Sequence, residues 1–259
     1  MNLSTIMKKR LILIYNEGTE GRKNYLKGVL EDITNYQEFF KSIEGGAWLA
    51  TEKKVFHKPN VNQVEDYIKA NADSDYFLIV FCGHGGSLNQ ETILELNYGE
   101  DLPLHTLYGW VNHTRSLIIC DCCRVAPELE PIMESQKTRI RMFSEGKSLA
   151  DFAKARNEYN KAIKATNSRI STIGYAASLD EKAGETSKGG FYSHCLLKAA
   201  TKVANEPSAN ETTVTFLECH NIAEPIVIRL SRDEQHPEYE TKRLANQLPF
   251  VVRIKKELS

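Results

Sequence analysis

Two short apolar segments of the chain each end in a side chain that can take part in covalent chemistry. Residues 76–82 lead into a glycine-rich turn that carries His84, and residues 116–120 lead to Cys123. Buried runs of this length, rich in Ile, Val and Phe, are typical of strands in a parallel sheet. In open α/β sheets, reactive groups collect beyond the carboxyl ends of such strands. Neighbouring strands would therefore bring an imidazole and a thiol to one cleft, which is the arrangement that nucleophilic thiol chemistry requires.

Cys123 is the first choice as nucleophile, because a strand that ends near Asp121 leaves this thiol on the turn, where a base can reach it. Strand alternation alone does not exclude Cys122. His84 is the natural base, and the glycines around it let the backbone turn sharply and approach a substrate closely. The amides of Gly85 and Cys123 are the candidates for an oxyanion hole.

Other interpretations of these residues stay open. Buried cysteines are usually small hydrophobic residues, and a histidine between glycines also occurs in ordinary turns. Cys82, His84 and the cysteines after the second strand supply enough soft ligands for zinc, although structural zinc sites space their ligands within loops. Asp121 either satisfies loop amides or lines a pocket, where a carboxylate would attract Arg or Lys.

Composition is that of an ordinary globular protein. The chain has 259 residues, 41% of them hydrophobic and 26% charged, which is enough for one large domain or two small ones. Its formal charge of −1 argues against nucleic-acid binding. No apolar stretch approaches the roughly 18 residues that cross a bilayer, and residues 1–10 lack a signal-peptide pattern. The cysteines lack a disulfide spacing, so we expect reduced thiols in a cytoplasmic protein that binds neither nucleic acid nor membrane.

Alternating strand and helix patterns predict an α/β fold with a mostly parallel sheet between helices. Strands are expected at residues 11–15, 54–56, 77–82, 92–96, 117–120, 170–176 and 250–254. Helices are expected at residues 22–42, 60–72 (with Asn60 as cap), 104–111, 191–203 and 215–229. The connection at residues 124–168 is well beyond the usual length, and its second half, 148–164, is helix-prone. Such an insertion beside a reactive strand end is expected to be functional.

Together these motifs resemble the caspase-like cysteine peptidases of clan CD, family C14, and within them the metacaspase branch. The resemblance rests on the strands before Gly83-His84-Gly85 and before Asp121-Cys122-Cys123, and it extends to residues 26–32, 174–185, 189–191 and 247–250. It implies a three-layer αβα caspase-haemoglobinase fold, formed as a single peptidase domain over residues 1–259. Within that domain it implies a large-subunit-like part (1–123), an insertion (124–168) and a small-subunit-like part (169–259).

The resemblance also implies a cysteine endopeptidase. Cys123 would be the nucleophile and His84 the base, with Gly85 in the oxyanion hole. The S1 pocket, which binds the side chain before the cleaved bond, would be lined by Asp121, Asp32 and Asp180. Caspases select aspartate with arginines, whereas the residue two before Cys123 is acidic here. We therefore expect protein or peptide substrates that are cleaved after Arg or Lys.

Departures from the family pattern concern the loop after the nucleophile. The usual Cys-His-Ser-Gly is replaced by Cys123-Arg124-Val125-Ala126, which leaves open a catalytically weak or inactive scaffold that binds protein partners. Arg124 is expected to favour the thiolate through its charge, an effect that exposure to solvent would weaken.

The sequence also suggests how the expected activity is controlled. Basic residues in the insertion match the expected specificity and are candidate self-cleavage sites, although a solvated basic loop is the alternative: Lys137, Arg139, Arg141 and Lys147. We expect no cofactor, because the loop after His84 lacks the dense aspartates with which metacaspases bind calcium, and Glu100 and Asp101 are a thin substitute. Any activator or effector is expected to be encoded separately.

Overall fold

The structure is a computed structural model that describes residues 7–125, 148–186, 188–206, 212–241 and 247–253. The strands of this part are, in chain order, β1 (Lys9–Asn16), β2 (Lys53–His57), β3 (Tyr76–Gly83), β4 (Gly85–Leu88), β5 (Glu91–Asn97), β6 (Glu100–Pro103), β7 (Arg115–Asp121), β8 (Ser171–Tyr175), β9 (Glu185–Thr186), β10 (Gly189–Gly190), β11 (Thr213–Thr215), β12 (Glu238–Thr241) and β13 (Pro249–Val252). The helices are α1 (Lys27–Lys41), α2 (Val61–Ala70), α3 (Leu104–Val111), α4 (Leu149–Ala165), α5 (Phe191–Asn205) and α6 (Phe216–Leu230).

The central sheet has six strands in the order β12-β8-β7-β3-β1-β2. All neighbours in it are parallel except β12, which runs antiparallel to β8 at one edge. Because the strands at the centre are parallel, their carboxyl ends meet along one edge of the molecule. The predicted α/β fold with a mostly parallel sheet is confirmed.

Helices cover both faces of this sheet. In β1, Leu11 and Leu13 pack into one buried cluster with α1, α4, α5 and α6, whereas Ile12 and Ile14 pack into another with α2, α3 and the small sheet β4-β5-β6. Alternate residues of a strand point to opposite faces, so a strand covered on both sides must be apolar throughout. This explains the unbroken apolar runs in the sequence and gives the three-layer αβα arrangement.

Three of the helices begin with a reciprocal hydrogen-bond pattern between the cap residue and the third helical residue. The Asn60 side chain accepts from the Gln63 amide before α2, and the Ser148 hydroxyl accepts from the Asp151 amide before α4. Thr215 caps α6 in the same way. These pairs satisfy amides that a helix leaves free at its first turn, and they fix where each helix starts.

The helix-prone second half of the predicted insertion forms α4, which buries three side chains in the core: Ala155, Tyr159 and Ile163. The structure differs from the predicted elements elsewhere in the chain. The predicted last strand is β13, which pairs with β11 outside the central sheet. The sixth strand of that sheet is β12, which was not predicted because its sequence is polar and largely exposed. In the described part of the chain, no helix is both long and apolar enough to span a membrane.

Candidate active site

His84 and Cys123 lie beyond the carboxyl ends of two adjacent strands. β3 and β7 are parallel neighbours, and Cys82 is paired with Asp121 in their register. His84 and Cys123 each follow that pair by two residues. Since adjacent strands are about 5 Å apart, this register brings the main chains of His84 and Cys123 close together at the rim of the sheet.

The two loops that follow these strands contact each other directly. A Cβ on Gly85 would lie 2.7 Å from the Cys122 Sγ, so only glycine fits there without a shift of the neighbouring thiol. The Ser87 amide donates to the Val125 carbonyl oxygen at 2.9 Å. The main chain of Gly85 therefore runs beside the residue that precedes Cys123.

The two adjacent thiols differ in their surroundings. Cys123 is half-buried, and its Sγ accepts a hydrogen bond from the Ala183 amide at 3.3 Å. Burial raises the pKa of Cys123, and the Ala183 amide opposes this by lowering it. Cys122 is only 2% exposed, and burial raises its pKa well above the usual value. Cys123 is thus the more accessible of the two thiols, as expected for a strand that ends near Asp121.

The imidazole of His84 is oriented by a main-chain carbonyl group. Its Nε2 lies 2.6 Å from the Asn24 carbonyl oxygen, and because a carbonyl oxygen only accepts, Nε2 carries the proton. In the neutral ring this leaves the lone pair on Nδ1. Gly18 makes room for the contact: its φ is +77°, and a Cβ there would lie 2.2 Å from the Asn24 oxygen.

Three carboxyl groups converge next to Cys123, and each accepts a main-chain amide proton. Asp121 Oδ2 accepts from Ser193 at 3.0 Å, and Asp32 Oδ2 accepts from Gly190 at 2.7 Å. Glu185 Oε2 accepts from Gly28 at 3.2 Å. The other oxygen of Asp32, Oδ1, is buried and has no hydrogen-bond partner in the described part of the chain.

Burial is the largest influence on the ionisation of this acidic cluster, which consists of Asp32, Asp121 and Glu185. It raises the pKa of Asp32 well above the usual value, and repulsion from Asp121 and Glu185 adds to the effect. It also raises the pKa of Asp121. Burial, together with repulsion from Asp121, raises the pKa of Glu185 to about 7. A buried cluster of this kind favours a cation as its occupant.

The hairpin formed by β9 and β10, here called the β9–β10 hairpin, closes over the acidic cluster. Ideal Cβ atoms on Gly189 and Gly190 would lie 2.0 Å from Asp32 Oδ1 and 2.5 Å from Asp121 Oδ2. Gly189 has a φ of +116°, which side-chain-bearing residues rarely adopt. The main chain of the hairpin thus fills the space next to both aspartates.

Asp180, predicted to line the same pocket, lies elsewhere. It is exposed, its φ is +66°, and its amide donates to the Arg124 carbonyl oxygen at 2.9 Å. Its Oδ1 is 3.5 Å from the Ser87 hydroxyl. The structure does not bring Asp180 together with Asp32 and Asp121. Glu185, which was not predicted, joins them instead, and its position shortly before the Gly189-Gly190 pair is the one sequence signal that pointed to it.

Arg124 is buried rather than exposed, so solvent does not screen its charge in the way that was expected. Only 6% of the residue is accessible, and its guanidinium lies 4.0 Å from the centre of the Tyr175 ring. Nη1 donates to Glu238 at 2.9 Å and to the Ala177 carbonyl oxygen at 3.1 Å. Its charge is balanced by Glu238, and the side chain anchors the loop after Cys123 to the edge strand β12.

The remaining predictions about ions and processing concern other parts of the chain. Within the described ranges, no group of three or more His, Cys, Asp and Glu side chains is arranged to hold a metal ion. Glu100 accepts a hydrogen bond from the Val61 amide at the start of α2. The four candidate self-cleavage residues lie outside the described residues: Lys137, Arg139, Arg141 and Lys147.

Comparison with solved structures shows similarity to caspase-1 from Spodoptera frugiperda, with 12% identity, coverage of 92% of this chain and 90% of that chain, and a TM-score of 0.58. Protein GSU0716 from Geobacter sulfurreducens is also similar, with 13% identity, coverage of 95% and 100%, and a TM-score of 0.55. At these identities the likeness shows the fold alone, and it confirms the predicted caspase-like fold.

Comparison with curated protein sequences finds no match. The caspase domain model of the C14 peptidases, in contrast, matches residues 8–249. The chain therefore belongs to the caspase domain family, whose members are hydrolytic cysteine peptidases that act on proteins.

Proposed function

We propose that the chain is a cysteine endopeptidase that cleaves after arginine or lysine through a dyad of Cys123 and His84. The observation that carries this proposal is the buried acidic cluster beside the accessible thiol, with the unpartnered Oδ1 of Asp32 inside it. A guanidinium or ammonium group would supply the missing donor and neutralise carboxylates that burial otherwise penalises. Repulsion from the ionised carboxylates of the cluster disfavours aspartate as the preferred residue.

Each step of the proposed reaction can be assigned to a group of the chain. Nδ1 of His84 takes the proton of the Cys123 thiol, since Nε2 already donates to Asn24. The thiolate attacks the peptide carbonyl carbon, and the amides of Gly85 and Cys123 stabilise the oxyanion. The protonated His84 then gives its proton to the leaving amine, which leaves an acyl-enzyme. Water, deprotonated by His84, hydrolyses the thioester and restores the free thiol.

Substrate binding requires a movement of the β9–β10 hairpin. A basic side chain that reaches Asp32 needs the space that Gly189 and Gly190 occupy. Glu185 belongs to the same hairpin and accepts from Gly28 in α1. We therefore propose that Asp32, Asp121 and Glu185 line the S1 pocket once the hairpin has moved.

The test of the proposed function is the hydrolysis of fluorogenic peptides ending in Arg, Lys or Asp. We expect cleavage of the Arg and Lys peptides, complete loss in the Cys123→Ala variant, and activity in the matched Cys122→Ala variant. Preference for the Asp peptide would contradict the proposed specificity. An active Cys123→Ala variant beside an inactive Cys122→Ala variant would assign the nucleophile to the other thiol.

Self-cleavage is part of the same proposal, because the basic residues of the insertion match the specificity proposed for the enzyme. Intact mass of the active enzyme should show cleavage after one of Lys137, Arg139, Arg141 or Lys147, and the Cys123→Ala protein should stay whole. An unchanged mass in the active enzyme would remove the idea. The same incubation with and without calcium tests whether the ion has any part in activation.

A second candidate function, a caspase-like scaffold that binds protein partners, is favoured by the closed state of the cleft. The Cys123 Sγ is hydrogen-bonded to Ala183, and the β9–β10 hairpin fills the space beside the aspartates. An arginine chloromethyl ketone separates the two functions. Labelling at Cys123, found by peptide mass spectrometry, supports the peptidase, whereas an unlabelled folded protein supports the scaffold.

A further inference from the structure

Asn16 is a buried polar residue next to the proposed catalytic histidine that the site has not yet accounted for. It is the last residue of β1, is 2% exposed, and is paired in register with Gly83. The two main chains are close there, since a Cβ on Gly83 would lie 2.4 Å from the Asn16 carbonyl oxygen. His84 follows directly, so Asn16 lies beside the turn that presents the imidazole.

The side-chain amide of Asn16 connects the loop after β1 to strand β5, which lies far away in the sequence. Its Oδ1 accepts from the Gly18 amide at 3.0 Å. Its Nδ2 donates to the Glu95 carbonyl oxygen at 3.0 Å and lies 3.4 Å from Glu95 Oε1. A buried amide with partners on both sides holds its neighbours in one geometry, because an unpaired buried polar group is costly.

Both of these partners hold His84. The Glu95 amide donates to the His84 carbonyl oxygen at 3.1 Å, which fixes the main chain of the histidine. Gly18 lies against the imidazole, since a Cβ there would be 2.9 Å from Nε2. Gly18 also contacts the Asn24 carbonyl group that accepts the Nε2 proton. Asn16 is therefore the link between the loop that orients the ring and the strand that holds the backbone.

We infer that Asn16 is a positioning residue that sets the place and orientation of the His84 imidazole. Its effect on turnover rests on the proposed function, whereas its effect on the ring does not. The position requires a donor and an acceptor on a short side chain. Aspartate keeps the acceptor and loses the donor, leucine has neither, and glutamine is longer by one methylene.

The test compares Asn16→Asp and Asn16→Leu with a control, Asn97→Ala. Asn97 also bridges main-chain groups, donating to the Lys58 carbonyl oxygen at 3.1 Å and accepting from the Tyr98 amide at 2.8 Å. The readouts are the ring 15N and 1H signals of His84, kcat and KM on an arginine peptide, and the melting temperature. Should Asn16→Leu fail to fold, Asn16→Asp, which keeps the volume and the Gly18 bond, carries the test.

We expect the His84 ring signals to shift in both Asn16 variants and to stay in place in Asn97→Ala. We expect kcat to fall about 10- to 100-fold with KM within about twofold, because a displacement of roughly 1 Å of a catalytic group costs about that much. Unchanged ring signals in Asn16→Asp would overturn the inference, as would a loss of kcat that Asn97→Ala matches at equal loss of melting temperature.

The ring signals also keep this inference separate from the proposed function. They are recorded without substrate and are assigned by their absence from a His84→Gln protein. If wild-type protein hydrolyses no peptide, the proposed function fails, and the ring signals still decide whether Asn16 positions His84. If peptides are cleaved and the His84 ring signals do not change in the Asn16 variants, the proposed peptidase function is supported and the positioning role of Asn16 is contradicted.

Discussion

The three carboxyl groups of the acidic cluster come from distant parts of the chain; Asp32 and Asp121 are buried, and Glu185 is partly buried. Asp32 lies in α1, Asp121 ends β7, and Glu185 begins β9. Burial and mutual repulsion disfavour three ionised groups there. Hydrogen bonds from main-chain amides offset part of this electrostatic cost in the closed state, and a bound cation would offset more of it. The cluster therefore favours a positively charged ligand on electrostatic grounds.

A pH dependence of substrate binding follows from Glu185. Because its pKa is raised to about 7, Glu185 is neutral below that pH and ionised above it. We expect KM for arginine peptides to fall as the pH rises through about 7. Glu185→Gln should remove this part of the profile and raise KM about tenfold at pH 8, the scale of one charge-assisted hydrogen bond.

Asp180→Asn is the matched control for this measurement, because Asp180 is a carboxylate of the same segment that lies outside the cluster. We expect it to change KM less than about twofold and to leave the pH profile in place. Equal profiles in the two variants would show that Glu185 does not face the substrate.

Residue by residue, the sequence was most informative where a side chain follows a strand. His84 and Cys123 are placed by the end of an apolar run, and parallel strands bring such ends together. The choice between Asp180 and Glu185 depends on the path of an irregular loop, including the positive φ of Asp180, which no periodicity encodes. The burial of Arg124 could not be predicted from the sequence either, because its partners come from the distant strands β5 and β12.

At the level of elements, the start of α5 and the β9–β10 hairpin are built around the two aspartates. Asp121 accepts from Ser193 in the first turn of α5, and Asp32 accepts from Gly190, the residue before that helix. Carboxylates are favourable at a helix N-terminus, where amides are free and the dipole is positive. The aspartates of the proposed pocket therefore also stabilise the start of α5 when no ligand is bound.

Two glycine-to-alanine substitutions separate a required glycine from a dispensable one. In Gly190→Ala the new Cβ would lie 2.5 Å from Asp121 Oδ2, so we expect a loss of about 1–3 kcal/mol in unfolding free energy. In Gly109→Ala nothing lies within 4 Å of the Cβ inside α3, so we expect a gain of about 1 kcal/mol. Thermal or urea unfolding measures both, and equal effects would contradict the close approach at Gly190.

Elements with a strong apolar period were predicted and those without it were not. α2 and α3 have such a period and lie where they were expected. α1 starts at Lys27 rather than at residue 22, because the preceding residues form the loop that carries Asn24. β12 was not predicted because an edge strand needs no apolar residues when its side chains face solvent.

At the scale of the whole molecule, one buried cation lies within the layer that packs α4 against the sheet. Lys9 is fully buried, and its Nζ lies 4.2 Å from the centre of the Trp48 ring and 4.9 Å from that of Tyr159. Burial lowers its pKa from 10.5 to about 7, although Glu52 opposes this. Nζ has no hydrogen-bond partner in the described part of the chain.

Stability is expected to depend on pH through this lysine. Its pKa is lower in the folded state than the unfolded value of 10.5, so the unfolded chain binds more protons between about 7 and 10. The free energy of unfolding should therefore fall as the pH drops through this window and level off below about 7.

Lys9→Met removes the titrating group and keeps an apolar side chain of similar length. We expect the unfolding free energy at pH 7 to rise by about 1–4 kcal/mol, which a higher melting temperature would show. We also expect the unfolding free energy to vary less with pH between about 7 and 10. Glu52 keeps its bond to Arg156, at 2.7 Å, so the substitution leaves no unpaired carboxylate. A less stable variant would mean that the aromatic contacts of the ammonium outweigh its desolvation.

The closed hairpin has a consequence for anyone who measures binding to this protein. If only a fraction of molecules have the cleft open, every measured dissociation constant is the intrinsic one divided by that fraction. Weak inhibition by simple guanidines would then reflect a conformational equilibrium and not poor complementarity. Ligand design that starts from the closed cleft would overlook the proposed contact with Asp32, whereas an electrophile that carries a basic group would test for it.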